Sequence, residues 1–321
     1  MSFIRTVTGD IRPEELGFTQ CHEHLMITKG RSYEMHKALL LDDPEKSAAE
    51  ALRLRNAGGQ TLVDSQPVGC NRDISALKYI SEKSGLNIIA STGFHKRMFY
   101  YETSPAFRMD EKELTKLFIA ELTEGACADP EGMDASEGKR SGIKAGIIKT
   151  ALDSCGLDGH YLKLFKAALN AKKETGCPMM VHIEKGSDPL ALADFIRNYG
   201  VRDENLYFCH MDRACDDRDV MLRVIDIGFP LEFDTIGRFK YHSDEFEIDI
   251  MKTIIENDFE DMLLFSLDTT RERLKTYTEG AVGLDYIITT FIPKMRESGI
   301  DEKIIHKIAF ENPARCLAWK E

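Results

Sequence analysis

The chain has 321 residues and a formal net charge of −12, with 43% apolar and 30% charged residues; it is long for one ordinary domain and normal for an α/β barrel. Its acidity excludes a global electrostatic pull toward nucleic acid or anionic lipid, so an anionic small molecule must be met by a local basic patch. Met1–Val7 lacks the apolar core of a signal peptide, no apolar run approaches the ~20 residues of a membrane helix, and Cys21, Cys70, Cys127, Cys155, Cys177, Cys209, Cys215 and Cys316 form no framework, which together imply a cytoplasmic protein with reduced thiols.

Short β-rich segments alternate with amphipathic stretches along the whole chain, the pattern of a parallel α/β sheet. The predicted strands are Phe18–Leu25, Gln60–Ser65, Asn87–Gly93, Ala145–Thr150, Cys177–Glu184, Leu206–Asp212, Phe229–Thr235 and Met262–Asp268. Between them lie predicted helices at Pro44–Ala57, Asp73–Ser84, Asp110–Glu124, Asp158–Glu174, Pro189–Tyr199, Asp216–Ile227 and Phe246–Asn257. A last helix fits Asp285–Ser298, followed by Asp301–Ala309 and a closing segment Asn312–Trp319. Eight strand–helix repeats without a glycine-rich nucleotide turn predict a single (β/α)8 TIM barrel over residues 1–321. Residues 1–17 are expected to close its bottom, and Asp129–Arg140 to form a surface excursion before the fourth strand.

In such a barrel the polar residues at strand C-termini converge on one pocket. The first strand carries His22 and His24, one residue apart and so on the same face. The fourth ends in Gly146-Ile147-Ile148-Lys149-Thr150, the fifth gives Val181-His182-Ile183-Glu184, the sixth Cys209-His210-Met211-Asp212, and the eighth Ser266-Leu267-Asp268. A lysine at a strand end is ordinarily an exposed cap, and a lone histidine on an apolar strand a hydrogen-bonded core residue. Six such residues in this order outweigh that reading. Four histidines, an aspartate and a lysine form a two-metal site if the lysine becomes an anionic ligand. A buried lysine retains a neutral amine, which reacts with CO2 to give a carbamate able to bridge two metals. Glu23, Cys21 and Cys209 neighbour these residues, and alternation turns them away from the metals.

The motifs CHEHL, GIIKT, VHIE, FCHMD and SLD, with ENPAR at Glu311–Arg315, resemble the phosphotriesterase-like branch of the amidohydrolase superfamily over almost the whole chain. The resemblance implies that His22, His24 and Asp268 hold a more buried metal and His182 and His210 a more exposed one. Carboxylated Lys149 and a hydroxide would bridge two divalent ions, zinc in the first instance, with manganese or cobalt also tolerated. Asp268 would take the proton as hydroxide attacks and pass it to the leaving oxygen. The resemblance also implies a homodimer.

The substrate is read from the loops after the seventh and eighth strands, where such barrels often bind phosphate. They carry Arg238, Lys240, Arg271, Arg273, Lys275 and Tyr277, groups suited to phosphate oxygens. Lys240, Arg271 and Tyr277 are the foremost candidates. The alternative is a solvated face with charges paired to Glu272 and Asp244. After the third strand, Tyr100 is a candidate pocket wall, and His95 either lines the pocket or packs. Charged loops argue against a long acyl chain and favour a phosphorylated sugar lactone of the pentono-1,4-lactone 5-phosphate type. The competing expectations are a lactonase, esterase or phosphotriesterase acting on non-phosphorylated substrates, a metal-dependent nuclease, and a non-catalytic metal-binding relative. The nuclease would need a basic groove and a glutamate in place of Lys149; the non-catalytic relative would have lost a ligand.

Overall fold

Eight segments rich in branched and aromatic residues are buried along almost their whole length, as strands packed against helices on one face and a filled lumen on the other must be. The computed structural model, which describes residues 2–201 and 205–320, forms them into Thr19–Glu23 (β1), Thr61–Asp64 (β2), Asn87–Gly93 (β3), Ile147–Leu152 (β4), Met179–Ile183 (β5), Leu206–Cys209 (β6), Leu231–Phe233 (β7) and Leu263–Phe265 (β8). All pair in parallel and in sequence order. Cys21, Val63, Ile89, Ile147, Met180, Tyr207 and Leu264, one from each strand but β7, pack in one buried cluster. Glu232 lies on β7, itself fully buried. The outer faces join a larger cluster with the helices.

Local chemistry explains the helices. Asp43, Asp73, Asp110, Asp158, Asp188 and Asp217 each accept backbone N–H bonds as N-caps of the helices that follow, worth about 1 kcal/mol apiece. The predicted Asp285–Ser298 helix widens to a π-turn over Ile287–Phe291 before Pro293, and the next does so over Lys307–Glu311 before Pro313. In both places proline has no N–H to donate and its ring crowds the carbonyl four residues earlier. A hairpin of Ile4–Thr6 and Gly9–Ile11 lies at the N-terminal end of the strands, where Val7 N–H donates to Ile88 O. Trp319 stacks on Phe3 and donates Nε1–H to Gly146 O there. No helix among the described residues is long and apolar enough to cross a membrane.

The barrel closes between β1 and β8 largely through side chains. Asp268 N–H donates to His22 O at 3.1 Å, and His22 N–H donates to Ser266 Oγ at 2.8 Å. Glu23 accepts from Ser266 Oγ and Leu267 N–H at 2.9 Å on one oxygen, and from Thr269 N–H at 3.1 Å on the other. A register shift between Gln20 and Glu23 lets Cys21 pack in the lumen and still aims Glu23 across this seam. Burial raises the Glu23 carboxyl to about 7 against the pull of these donors. Glu23→Ala strands two buried N–H groups, those of Leu267 and Thr269, while Ser266 Oγ keeps His22 O as acceptor, and it is expected to cost about 3 kcal/mol in urea unfolding; a loss under about 1 kcal/mol would show that the seam holds without it.

Candidate active site

Each candidate ligand is placed by the end of a strand. Lys149 stands two residues beyond lumen-facing Ile147 on β4, and His182 two beyond Met180 on β5, so alternation points both inward at the C-terminal rim. At Gly93, the end of β3, a Cβ would lie 2.0 Å from the Lys149 carbonyl, and φ is +96°; only glycine allows β3 to approach the lysine so closely. The sixth and eighth strands stop earlier than predicted. His210 and Asp268 instead adopt left-handed φ values of 64° and 50°, a strain of about 1–3 kcal/mol each that clusters at functional sites.

These turns bring the six residues together. Lys149 Nζ is 3.1 Å from His22 Nε2, and Asp268 Oδ1 lies 3.7 Å from His22 Nε2 and 3.6 Å from His24 Nε2. The His210 ring centroid is 4.6 Å from His22 and 4.3 Å from His182. Lys149 is fully buried and the four histidines nearly so.

A surrounding set of carboxylates decides which ring nitrogens face inward. Asp234 Oδ1 is 2.6 Å from His210 Nδ1, and Glu184 Oε2 is 3.0 Å from His182 Nε2. Asp234 and Glu232 lie 3.4 and 3.5 Å from His22 Nδ1, close in charge but without a hydrogen bond to it. The remaining nitrogens, His210 Nε2, His182 Nδ1 and His22 Nε2, are left for a ligand, the arrangement in which outer carboxylates orient metal-binding imidazoles.

Burial pushes His22 and His210 well below the ordinary imidazole range and His182 to about 3, so all three are neutral at pH 7. Burial also lowers Lys149, against nearby Cys209 and carboxylates that favour its charge. Burial opposes ionisation of Asp268, but Arg238 and the adjacent histidines outweigh it and hold the carboxyl well below its usual range. Lys149 forms no ion pair among the described residues, and His24 Nδ1 is buried without a partner. A buried amine without a counter-ion beside imidazoles and a carboxylate is a donor set that fits divalent cations.

A cavity of about 550 Å³ opens over this cluster. Its wall includes Arg213, Arg238, Lys240, Tyr241 and Arg273, with His95 and Lys96 opposite. Arg238 donates to Asp268 Oδ2 at 2.8 Å and to its carbonyl at 2.9 Å. Arg273 is buried and donates to Ile236 O. Lys240 lies over Tyr241 at 4.9 Å, and Arg213 over the same ring at 5.7 Å.

Four other residues singled out from the sequence lie outside this wall. Arg271 donates to Leu40 O and pairs with Asp42 at 3.2 Å. Lys275 pairs with Asp285 at 2.7 Å. Tyr277 donates to Asp43 O at 2.7 Å and meets Ser47 Oγ at 2.8 Å. Tyr100 is buried, its oxygen accepting from His95 N–H at 3.0 Å. Of the charges after β8, Arg271 and Lys275 are therefore paired, though to Asp42 and Asp285 and not to Glu272 or Asp244, while Arg273 has no ion pair among the described residues. Sequence reasoning missed Arg213, which follows His210 by three residues on the short helix Met211–Ala214; a helical turn there would have returned its side chain toward the pocket. Lys96 was missed too, and is held by Glu184.

Residues 2–317 match the family model described as the phosphotriesterase family. A phospho-furanose lactonase of Mycoplasmopsis synoviae is 31% identical, over 99% of this chain and 92% of its own length. The crystal structure of an amidohydrolase from Mycoplasma synoviae superposes with a TM-score of 0.93 at 30% identity, covering 100% of this chain and 93% of the other. The phosphotriesterase homology protein from Escherichia coli, complexed with phosphate in its active site, superposes with a TM-score of 0.84 at 26% identity, covering 94% of this chain and 99% of the other.

Proposed function

We propose, since this chain belongs to the phosphotriesterase family, that it is a metal-dependent hydrolase opening a phosphorylated sugar lactone of the pentono-1,4-lactone 5-phosphate type. The observation that carries the substrate is a pair of cations: neither Arg213 nor Lys240 has an ion pair among the described residues, and both line the cavity above the ligand cluster of an acidic protein. A phosphate there would gain charge-assisted hydrogen bonds. The name of the Mycoplasmopsis relative and the phosphate in the Escherichia coli structure support the same reading.

His22, His24 and Asp268 would hold one cation and His182 and His210 a second, with carboxylated Lys149 serving both; zinc suits the donors, and manganese or cobalt is compatible. Bound cations of this kind polarise an ester carbonyl and lower the pKa of water. The chain's own residues do the rest. The neutral form of the Lys149 amine, which burial favours, forms an N–C bond to CO2 and releases one proton, leaving a carbamate anion. Asp268 accepts the proton of the attacking water and delivers it to the ring oxygen as the ester C–O bond breaks. Arg238 fixes the Asp268 carboxylate in one orientation. Arg213 and Lys240 bind the phosphate and so hold the ring carbonyl over the cluster.

Two experiments follow. Lys240→Ala and Arg213→Ala should each lower kcat/KM on the phosphorylated lactone by about 10- to 100-fold, the worth of a charged hydrogen bond. Turnover of the matching neutral lactone should change less than about twofold; an equal fall on both substrates would remove the phosphate from this wall. Second, metal-free protein stripped of CO2 should regain zinc and activity faster with bicarbonate than without. Identical recovery in both would contradict a carbamate on Lys149.

A further inference from the structure

The loop after β7 rests on a second group of ligand-type side chains, apart from the six at the barrel mouth. Asp212 follows β6, His242 lies in the loop, and Glu247 sits in the first turn of the helix Asp244–Ile255. One ligand atom from each lies within 4.8 Å of the others. Asp212 and Glu247 are buried, and the His242 side chain is 11% exposed. His242 Nε2 is 3.4 Å from Glu247 Oε1 and 3.2 Å from Thr235 Oγ1. Thr235 Oγ1 lies 2.7 Å from Asp212 Oδ2 and 3.3 Å from Glu247 Oε1.

The Thr235 hydroxyl has one proton and three neighbours able to accept it, and Asp212 Oδ2 is the nearest. Asp212 also accepts from the backbone N–H groups of Thr235 and Arg213. His242 Nδ1 and Glu247 Oε2 are buried with no partner. A proton placed on Oε2 would find no acceptor within hydrogen-bond reach. A cation held by His242 Nε2, Glu247 Oε1 and Asp212 would neutralise two buried carboxylates, neither of which has a lysine or arginine ion pair among the described residues. Metal–ligand bonds of about 2.0–2.2 Å set ligand atoms roughly 3–4.4 Å apart, which the 3.4 Å between His242 Nε2 and Glu247 Oε1 matches.

We propose that Asp212, His242 and Glu247, with the Thr235 hydroxyl in reach, form a structural divalent-cation site. The donors, one imidazole and two carboxylates, suit zinc or manganese. None of the four lines the cavity. The ion ties the end of β6 and the helix Asp244–Ile255 to the loop that carries Arg238, Lys240 and Tyr241, and so fixes the wall those residues form. It is independent of any ion at the barrel mouth.

The test is metal content. Wild type, Glu247→Gln and His242→Gln are equilibrated with zinc, desalted and analysed by plasma mass spectrometry, with circular dichroism to confirm folding. Each variant should hold one zinc fewer per chain than wild type, whatever number the barrel mouth holds. A His182→Asn, His210→Asn protein should keep the Glu247-dependent equivalent, which separates this site from the barrel ions. Equal zinc in wild type and the two variants would overturn the site. If neither variant folds, anomalous scattering at the zinc edge from crystals of zinc-loaded wild type decides: a peak among Asp212, His242 and Glu247 supports the site, and no peak there overturns it.

Discussion

Lys149→Met should lower lactone turnover by at least about a thousandfold while leaving the barrel folded. Methionine matches the unbranched length of the lysine stem, so the buried volume between Gly93 and His22 is kept. What is lost is the only group in the cluster able to become a bridging carbamate. Polarisation and water activation by paired cations are worth several kcal/mol, and each 1.36 kcal/mol is about tenfold in rate. Zinc content should fall with activity, and circular dichroism should not change. A variant with near-wild-type turnover would exclude Lys149 from the chemistry.

Asp268→Asn carries the second largest effect, a loss of about 10²- to 10⁴-fold in kcat, the usual worth of a positioned general base. The amide keeps the shape and can still accept from Arg238, but it is a poor ligand and cannot take a proton. The pH profile separates these losses from simple misfolding. In wild type, Arg238 and the adjacent histidines hold the Asp268 carboxyl well below its usual range, so the acidic limb that this group sets should lie below the ordinary carboxylate range. The asparagine variant should lack this acidic limb. An unchanged limb would assign it to another residue.

Much of the site was legible because a parallel barrel sorts strand ends onto one face. Lys149 and His182 needed only the alternation of side chains on predicted strands; His22 also needed the register shift in β1, since its neighbour Cys21 packs in the lumen too. His210 and Asp268 were found in the right neighbourhood for an incomplete reason. They were read as strand residues, yet each sits just past its strand in a left-handed turn. Backbone strain of that kind is stabilised by contacts far away in sequence, such as Asp268 N–H on His22 O, and leaves no local pattern. The helices were legible from their amphipathic pattern, and the Asp caps that fix where they begin act within three residues.

Partners distant in sequence explain the rest. Glu23 reads as a spare acid beside two histidines, and only the approach of β8 shows it holding the seam. Arg271 and Tyr277 look like phosphate ligands until Asp42, Asp43 and Ser47, more than two hundred residues away, occupy them. Arg213 was passed over because a strand was carried through to Asp212. Basic residues in a loop are common; which of them lack a partner is a property of the fold.

The most direct measurement is proton release by the zinc-loaded protein, supplied with bicarbonate, on a pentono-1,4-lactone with and without its 5-phosphate. A carbamate-bridged lactonase with a phosphate wall at Arg213 and Lys240 turns over the phosphorylated compound rapidly and the neutral one at least about tenfold more slowly in kcat/KM. Equal rates would contradict the phosphate wall, and no proton release from either would contradict the lactonase itself.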